Sequence, residues 1–339
     1  MSENPSNFLY FPMENIQFDS PVMITVIQCA YEILSIIIMI FLLVWFGVRK
    51  NYTNPFYRNV QFDLAVNIVC YLNTWTAMRL ERFESAMPFL KQIETIAPGM
   101  LTISKYLTNY FFHLQSLSAA FMTANRILTV KFPNWTVSNW RFAFIAFSVS
   151  VCIYSVLPNL VLYHGFTAKV HIMNGTLTRV RNVEAYNKGM LVTTILSVVY
   201  FFILLFLGLY SRYTVSRIHN NAHSGYITRK LTKVALVYSF LYSGIIFWTI
   251  TSTADNKYDF LPIFIRSHNS YILGFGSDLL TLSLPYVLFL FDANVQRDLF
   301  KKQRVTKVGT VNGVSDEQML LIACYEIRIW NLSKRTSSA

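Results

Sequence analysis

Seven stretches of mostly apolar residues, roughly 22–48, 58–80, 100–129, 141–163, 189–211, 231–253 and 268–291, limit this chain to very few folds. A helix needs about 20 such residues to cross a bilayer core, and each stretch is of that order. Charged residues make up 14 % of the chain, against about 25 % in a soluble domain, while 54 % is hydrophobic and 16 % aromatic. The expected fold is an all-α membrane protein, a bundle of seven transmembrane helices. Two stretches are less apolar than the rest. The second holds Asp63, Asn67, Asn73 and Thr74, and the third holds Lys105, Asn109, His113 and Gln115. Polar groups are costly against lipid, so these two helices belong inside the bundle, with the third at its middle.

An odd number of spans places the two termini on opposite sides of the membrane. Lys and Arg collect on the cytoplasmic side of membrane proteins. The first, third and fifth connections carry eleven basic residues, among them Arg49, Lys50, Lys131, Arg217, Arg229 and Lys230. The second, fourth and sixth, with their helix ends, carry ten, among them Arg79, Arg82, Lys105, Arg179 and Arg181. The ends of the chain decide. Residues 1–20 lack Lys and Arg, whereas Arg297, Lys301, Lys302, Arg304 and Lys307 follow the last span. The expectation is an extracellular segment at 1–21, a membrane domain at 22–291 and a cytoplasmic tail at 292–339. No charged n-region precedes an apolar h-region, so the first span serves as the insertion signal. Asn174-Gly175-Thr176 is a glycosylation sequon in the second outer connection, and Asn174 is its acceptor. Within the tail, residues 293–302 set Val295, Leu299 and Phe300 along one side among basic residues, the pattern of a short amphipathic helix on the inner lipid surface.

The last span carries both an acid and a proline, Asp278 and Pro285, which suits a helix packed among others. Asp63 and Asp278 are the leading polar pair, able to share a water network with Asn67 and Ser283 or simply to fix helix register. Glu32 in the first span joins them or faces another polar neighbour. Tyr106, Asn109, Tyr110 and His113 follow the i, i+3, i+4, i+7 rule and so share a face of the third span. An aromatic face with a few polar groups suits a small-molecule pocket or ordinary helix packing. Tyr242, Trp248 and Tyr271 stand where they can close the same cavity. Asn125-Arg126 ends the third span at the inner side, where Arg126 either snorkels or meets a cytoplasmic partner.

Enzyme signatures are missing: no G-x-S-x-G, H-E-x-x-H or phosphate loop occurs, and no cofactor is implied. His219 and His223 are four apart without a third ligand. Cys29, Cys70, Cys152 and Cys324 form no metal pattern. The net charge of +12 lies in clusters between apolar runs instead of one stripe, so nucleic acid is not the expected partner.

The seventh-span piece Ser277-Asp278-Leu279-Leu280-Thr281-Leu282-Ser283-Leu284-Pro285-Tyr286, followed by Phe291-Asp292-Ala293-Asn294-Val295, resembles the signature of nematode serpentine receptors of class gamma. Phe62-Asp63-Leu64-Ala65-Val66-Asn67 and Thr123-Ala124-Asn125-Arg126 are similar to that family as well, and the likeness covers roughly residues 22–300. It implies a seven-transmembrane receptor in the plasma membrane of a chemosensory neuron. An external small molecule would bind in the bundle and a cytoplasmic heterotrimeric G protein would read the inner face. Asp63, Asn67, Asn125, Arg126, Asp278, Pro285 and Tyr286 would then form the switch. Asn125 stands where other receptors carry an acid before the arginine, so the resting lock must differ here. No cysteine is placed for the disulfide common in rhodopsin-like receptors. The competing reading is a multi-pass transporter or channel that uses the intramembrane acids as a relay, although no half of the chain repeats the other.

Overall fold

The computed structural model describes residues 8–15, 22–161, 165–218 and 269–300, with isolated positions between 237 and 265. The chain is mostly helical. Among the described residues its helices include α1 (Val22–Val48), α2 (Pro55–Thr74), α3 (Met87–Ile96), α4 (Met100–Lys131), α5 (Pro133–Val161), α6 (Val183–Ile218), α7 (Asn269–Leu282), α8 (Leu284–Phe291) and α9 (Ala293–Phe300). Among the described residues three helices are long and apolar enough to cross a membrane, in α1, α5 and α6, and the bent pair α7–α8 makes a fourth if it is one span. The stretch 231–253 falls mostly outside the described residues.

The apolar helices turn large side chains outward. Ile153 is 60 % exposed, Phe206 67 % and Leu290 66 %. Contiguous apolar surface of that extent is a liability in water and matches a hydrocarbon solvent. The less apolar helices take the inside. α4 packs against α2, α5 and α6, and α2 buries Asn59, Asp63 and Asn67. α2 begins on a side-chain cap, the Asn54 carboxamide oxygen accepting from the amide of Tyr57 at 3.1 Å, with Pro55 in its first turn. It ends in a π-helical turn, Trp75–Arg79. The extra residue in such a turn rotates the next side chains by about 100° around the axis, which brings Arg79 to the core.

α7 and α8 meet at a 44° bend on either side of Ser283. Pro285 lies in the first turn of α8 and supplies no amide, so the ladder is interrupted where the sequence placed its kink.

A sheet accompanies the helices, which the apolar pattern did not announce. β1 (Phe8–Pro12), β2 (Lys169–Met173) and β3 (Thr176–Asn182) form an antiparallel sheet in the order β1-β3-β2. β2 and β3 are joined by Asn174 and Gly175, both at positive φ (51° and 79°). That pairing makes the tightest hairpin connection. Phe8 lies opposite Asn182, and Pro12 opposite Thr178. Beneath the sheet Met13, Met87, Leu90, Leu101, Val170 and Leu177 form a separate apolar core. Glu94 of α3 accepts the amides of Gly99 (2.6 Å) and Leu101 (3.2 Å), capping α4. The hydroxyl of Thr102 bonds the amide of Val170 at 3.0 Å. The segment before α1 and the connections α2–α4 and α5–α6 therefore meet at one end of the bundle, the sheet end.

Leu177 is fully buried in that core. Leu177→Ala is expected to cost about 2–5 kcal/mol, the usual range for such a truncation, and to lower the unfolding midpoint of the detergent-solubilised protein. A midpoint unchanged from the parent chain would show that the sheet core does not contribute.

Candidate functional site

A cavity of about 420 Å³ lies below the sheet, between α2, α4, α6 and α7. Its volume is in the range of small-molecule sites. α4 contributes Lys105, Asn109, Phe112 and Gln115 at successive turns, and β3 contributes Arg179 and Arg181, two apart and hence on one face. α6 adds Tyr186 and Met190, and α7 adds Gly274, Ser277 and Leu280.

Arg79 forms part of the wall and is only 7 % exposed. One guanidinium nitrogen pairs with Glu32 of α1 and another with Asp278 of α7. Both acids are 1 % exposed. The remaining carboxylate oxygens are also served: Gln28 Nε2 donates to Asp278 at 2.7 Å, and Tyr71 Oη donates to Glu32 at 2.9 Å. The guanidinium carbon lies 5.0 Å from the ring centre of Tyr71 and 5.6 Å from that of Trp75. A buried ion pair repays its desolvation only when its remaining oxygens also find donors, and here Gln28 serves Asp278 and Tyr71 serves Glu32, while Glu32 Oε1 meets Arg79 as an ion pair alone. The cluster ties α1, the end of α2 and α7 together.

A second ion cluster lies closer to the sheet. Glu81 pairs with Lys105 of α4 through one oxygen and with Arg179 of β3 through the other. Lys105 Nζ also donates to the carbonyl of Ala77 at 2.8 Å.

Asp63 and Asp278 belong to different groups. Asn67 donates to Asp63 at 3.2 Å, and Gln115 Nε2 donates to Asn67 at 2.7 Å and to Thr281 Oγ1 at 3.1 Å. This polar chain links α2, α4 and α7. Ser283 Oγ lies 3.5 Å from the carbonyl of Leu280. Tyr286 meets α1: its hydroxyl is 2.8 Å from Ser35 Oγ, and its ring stacks on Tyr31 at 5.9 Å.

The four aromatic and polar residues of α4 separate. Asn109 walls the cavity and donates to Thr167 Oγ1 at 3.3 Å. Tyr110 packs toward α5 with Phe111, Leu114 and Val151. His113 is fully buried with Nδ1 2.8 Å from the hydroxyl of Tyr200 on α6. Tyr106 is half-buried and is not part of the described wall. Asn125 is buried near the far end of α4, while the side chain of Arg126 lies outside the described residues, as do Tyr242, Trp248 and the side chain of Tyr271. Asn174 is exposed at the hairpin tip.

Three features escape a reading of the sequence: the pairing of Arg79, the pairing of Glu81, and the node at the far end of the bundle. In that node Tyr57 Oη donates to Asp292 at 2.9 Å and accepts from Asn294 Nδ2 at 3.2 Å. Asp292 in turn accepts the amides of Asn294 (2.9 Å) and Val295 (3.2 Å), the N-cap of α9. Two acids inside spans, Glu32 and Asp278, already called for a cation at similar depth, and Arg79 was the candidate inside the second span.

The profile described as Srg family chemoreceptor matches residues 25–299. The chain belongs to the Srg chemoreceptor family. It is 33 % identical over 309 residues to serpentine receptor class gamma-47 of Caenorhabditis elegans, covering 91 % of this chain and 99 % of that one. It is 27 % identical over 310 residues to serpentine receptor class gamma-53 of the same organism, covering 87 % and 97 %. Its relatives are named as receptors, and an Srg chemoreceptor with these apolar helices is a multi-pass membrane protein.

In this Srg chemoreceptor, Arg79→Ala leaves two carboxylates buried without a cation. The expected loss is about 3–5 kcal/mol, read as a lower unfolding midpoint in detergent. Adding Glu32→Gln and Asp278→Asn to an Arg79→Met chain should recover most of it. Equal instability with and without those two changes would show that the charges are not coupled.

Proposed function

We propose that this protein is a seven-span chemosensory receptor whose sheet end faces outward, whose cavity takes an external small molecule, and whose opposite end engages a cytoplasmic heterotrimeric G protein. In this reading residues 1–21 are extracellular, 22–291 form the membrane domain and 292–339 the cytoplasmic tail. The cell would display it on the plasma membrane of a chemosensory neuron. The observation that carries the reading is the position of the cavity, roofed by β3 and sharing Arg79 with the cluster that joins α1 to α7. A molecule that competes for Arg79, or reshapes its surroundings, changes the relative free energy of two helix arrangements, and that differential affinity is what a receptor needs.

The ion clusters also bear on orientation. Arg79, Lys105 and Arg179 are held by Glu32, Asp278 and Glu81 within the fold, so they are poor members of a loop-charge tally. Without them the connections at the sheet end are the less basic set, which favours that end outside. A relay of acids for transport needs carboxylates open to a water path. Glu32 and Asp278 are closed onto Arg79 instead.

The switch and coupling residues proposed are Asp63, Asn67 and Asp278 in the core, Pro285 and Tyr286 at the bend, and Asn125 and Arg126 at the far end of α4. Arg126→Ala should abolish ligand-evoked signalling in a host cell while leaving surface delivery intact, measured by calcium response and surface labelling. Normal responses from that variant would count against the coupling site. Glycosidase treatment should shift the electrophoretic mobility of the parent chain but not of Asn174→Gln. If the parent carries no glycan and an amino-terminal epitope is reached only in permeabilised cells, the outward orientation is wrong.

A further inference from the structure

The wall of the cavity carries Arg79, Arg82, Lys105, Arg179 and Arg181 and, among the described residues, neither Asp nor Glu. Three carboxylates stand behind it: Glu32 and Asp278 on Arg79, and Glu81 shared by Lys105 and Arg179. Arg79, Lys105 and Arg179 balance those three acids, and Arg181 adds a positive charge that no carboxylate among the described residues meets, in one small, partly apolar space. A cavity so lined focuses potential and concentrates anions.

The excess lies at the sheet end of the cavity. Arg181 has no carboxylate partner among the described residues, and its guanidinium lies 3.0 Å from the ring centre of Tyr186. Burial, with the neighbouring charge of Arg179, pushes its pKa below the ordinary arginine value. An anion beside it removes both penalties. Arg179 gives one nitrogen to Glu81, while its buried Nε–H finds no acceptor. Buried donors of this kind are rare unless a group absent from the chain serves them. Arg82 lies along α7, where a Cβ on Gly274 would stand 3.0 Å from its guanidinium, so the glycine keeps room for it. The deeper wall differs in character. Gln115 lies ten residues, about 15 Å, further along α4 than Lys105, and at that depth Phe112, Met190 and Leu280 supply apolar surface.

We propose that the cavity binds a small amphipathic organic anion, with its carboxylate between Arg181 and Arg179 beneath the sheet and its apolar body against Phe112, Met190 and Leu280. The planar fork of a guanidinium matches a carboxylate through two parallel hydrogen bonds, which selects for charge and for geometry together. This ligand class is assigned to the cavity of the receptor reading above and so rests on that reading.

The test uses the full chain in detergent and a panel of straight-chain and aromatic carboxylic acids, each beside its methyl ester and the amine of the same skeleton. Thermal unfolding should show saturable stabilisation by acids, with esters and amines inert. Arg181→Gln should weaken the apparent affinity of those acids by about ten- to a hundredfold, the size expected for one charge-assisted hydrogen bond, and Arg181→Lys should restore part of it. Stabilisation by esters or amines equal to that by acids, no stabilisation by any acid, or an undiminished response in a folded Arg181→Gln chain would overturn the proposal. If Arg181→Gln does not fold, the contrast between acid and ester on the parent chain decides alone. The same panel on cells with a G-protein-linked calcium readout separates the two readings. Signalling by neutral or cationic members alone keeps the receptor and removes the anion. Arg181-dependent acid binding without signalling keeps the anion site and removes the receptor.

Discussion

One guanidinium between two carboxylates on different helices is the constraint on which the rest of this bundle depends. Arg79 can be buried because Glu32 and Asp278 meet it, and it is the cation on which both of these buried acids close. Such clusters add little net stability compared with well-packed apolar residues. Their effect is on which arrangement is allowed, since any slide of α1 against α7 separates charges in a medium that screens them poorly. The π-helical turn that ends α2, the donation from Gln28 and the hydroxyl of Tyr71 all serve the same geometry.

The two ends of the molecule are held by different means. At the sheet end an apolar core of six buried residues and the shared carboxylate of Glu81 join β3, α3 and α4. At the far end Tyr57, Asp292 and Asn294 join the start of α2 to the start of α9, beside the packed rings of Phe46, Tyr52 and Tyr57. The polar chain through Asn67, Gln115 and Thr281 runs between them. Cys29, Cys70 and Cys152 are all free thiols, so none of these three braces either end.

The helical part of this architecture is legible because lipid solvation leaves so strong a mark on sequence. The polar residues of α2 and α4 mark the inner helices, and Pro285 marks the break between α7 and α8. The sheet is hidden by brevity: β1 and β2 are five residues each, too short for alternation to stand out. Asn174-Gly175 does carry the hairpin signal, but the same residues also open a sequon. Arg79, Lys105 and Arg179 count as loop charges in any tally by residue type, because hydropathy does not see partners. The shared face of Tyr106, Asn109, Tyr110 and His113 is legible as geometry, but its division among neighbours is not. A helix surrounded on several sides shows adjoining residues of one face to different neighbours: Asn109 to the cavity, Tyr110 to α5, and His113 to Tyr200 on α6.

The order of the strands has a consequence for how the chain is made. β3 is the middle strand, and β1, which pairs along its edge, leaves the ribosome long before it. Phe8 must wait for Asn182, a delay of roughly ten seconds or more at about 5–20 residues per second. During that interval the wall of the cavity lacks Arg179 and Arg181, and Glu81 lacks one of its two partners. The roof over the site is thus completed only when α6 begins to emerge, and the earliest part of the chain is among the last to take its place.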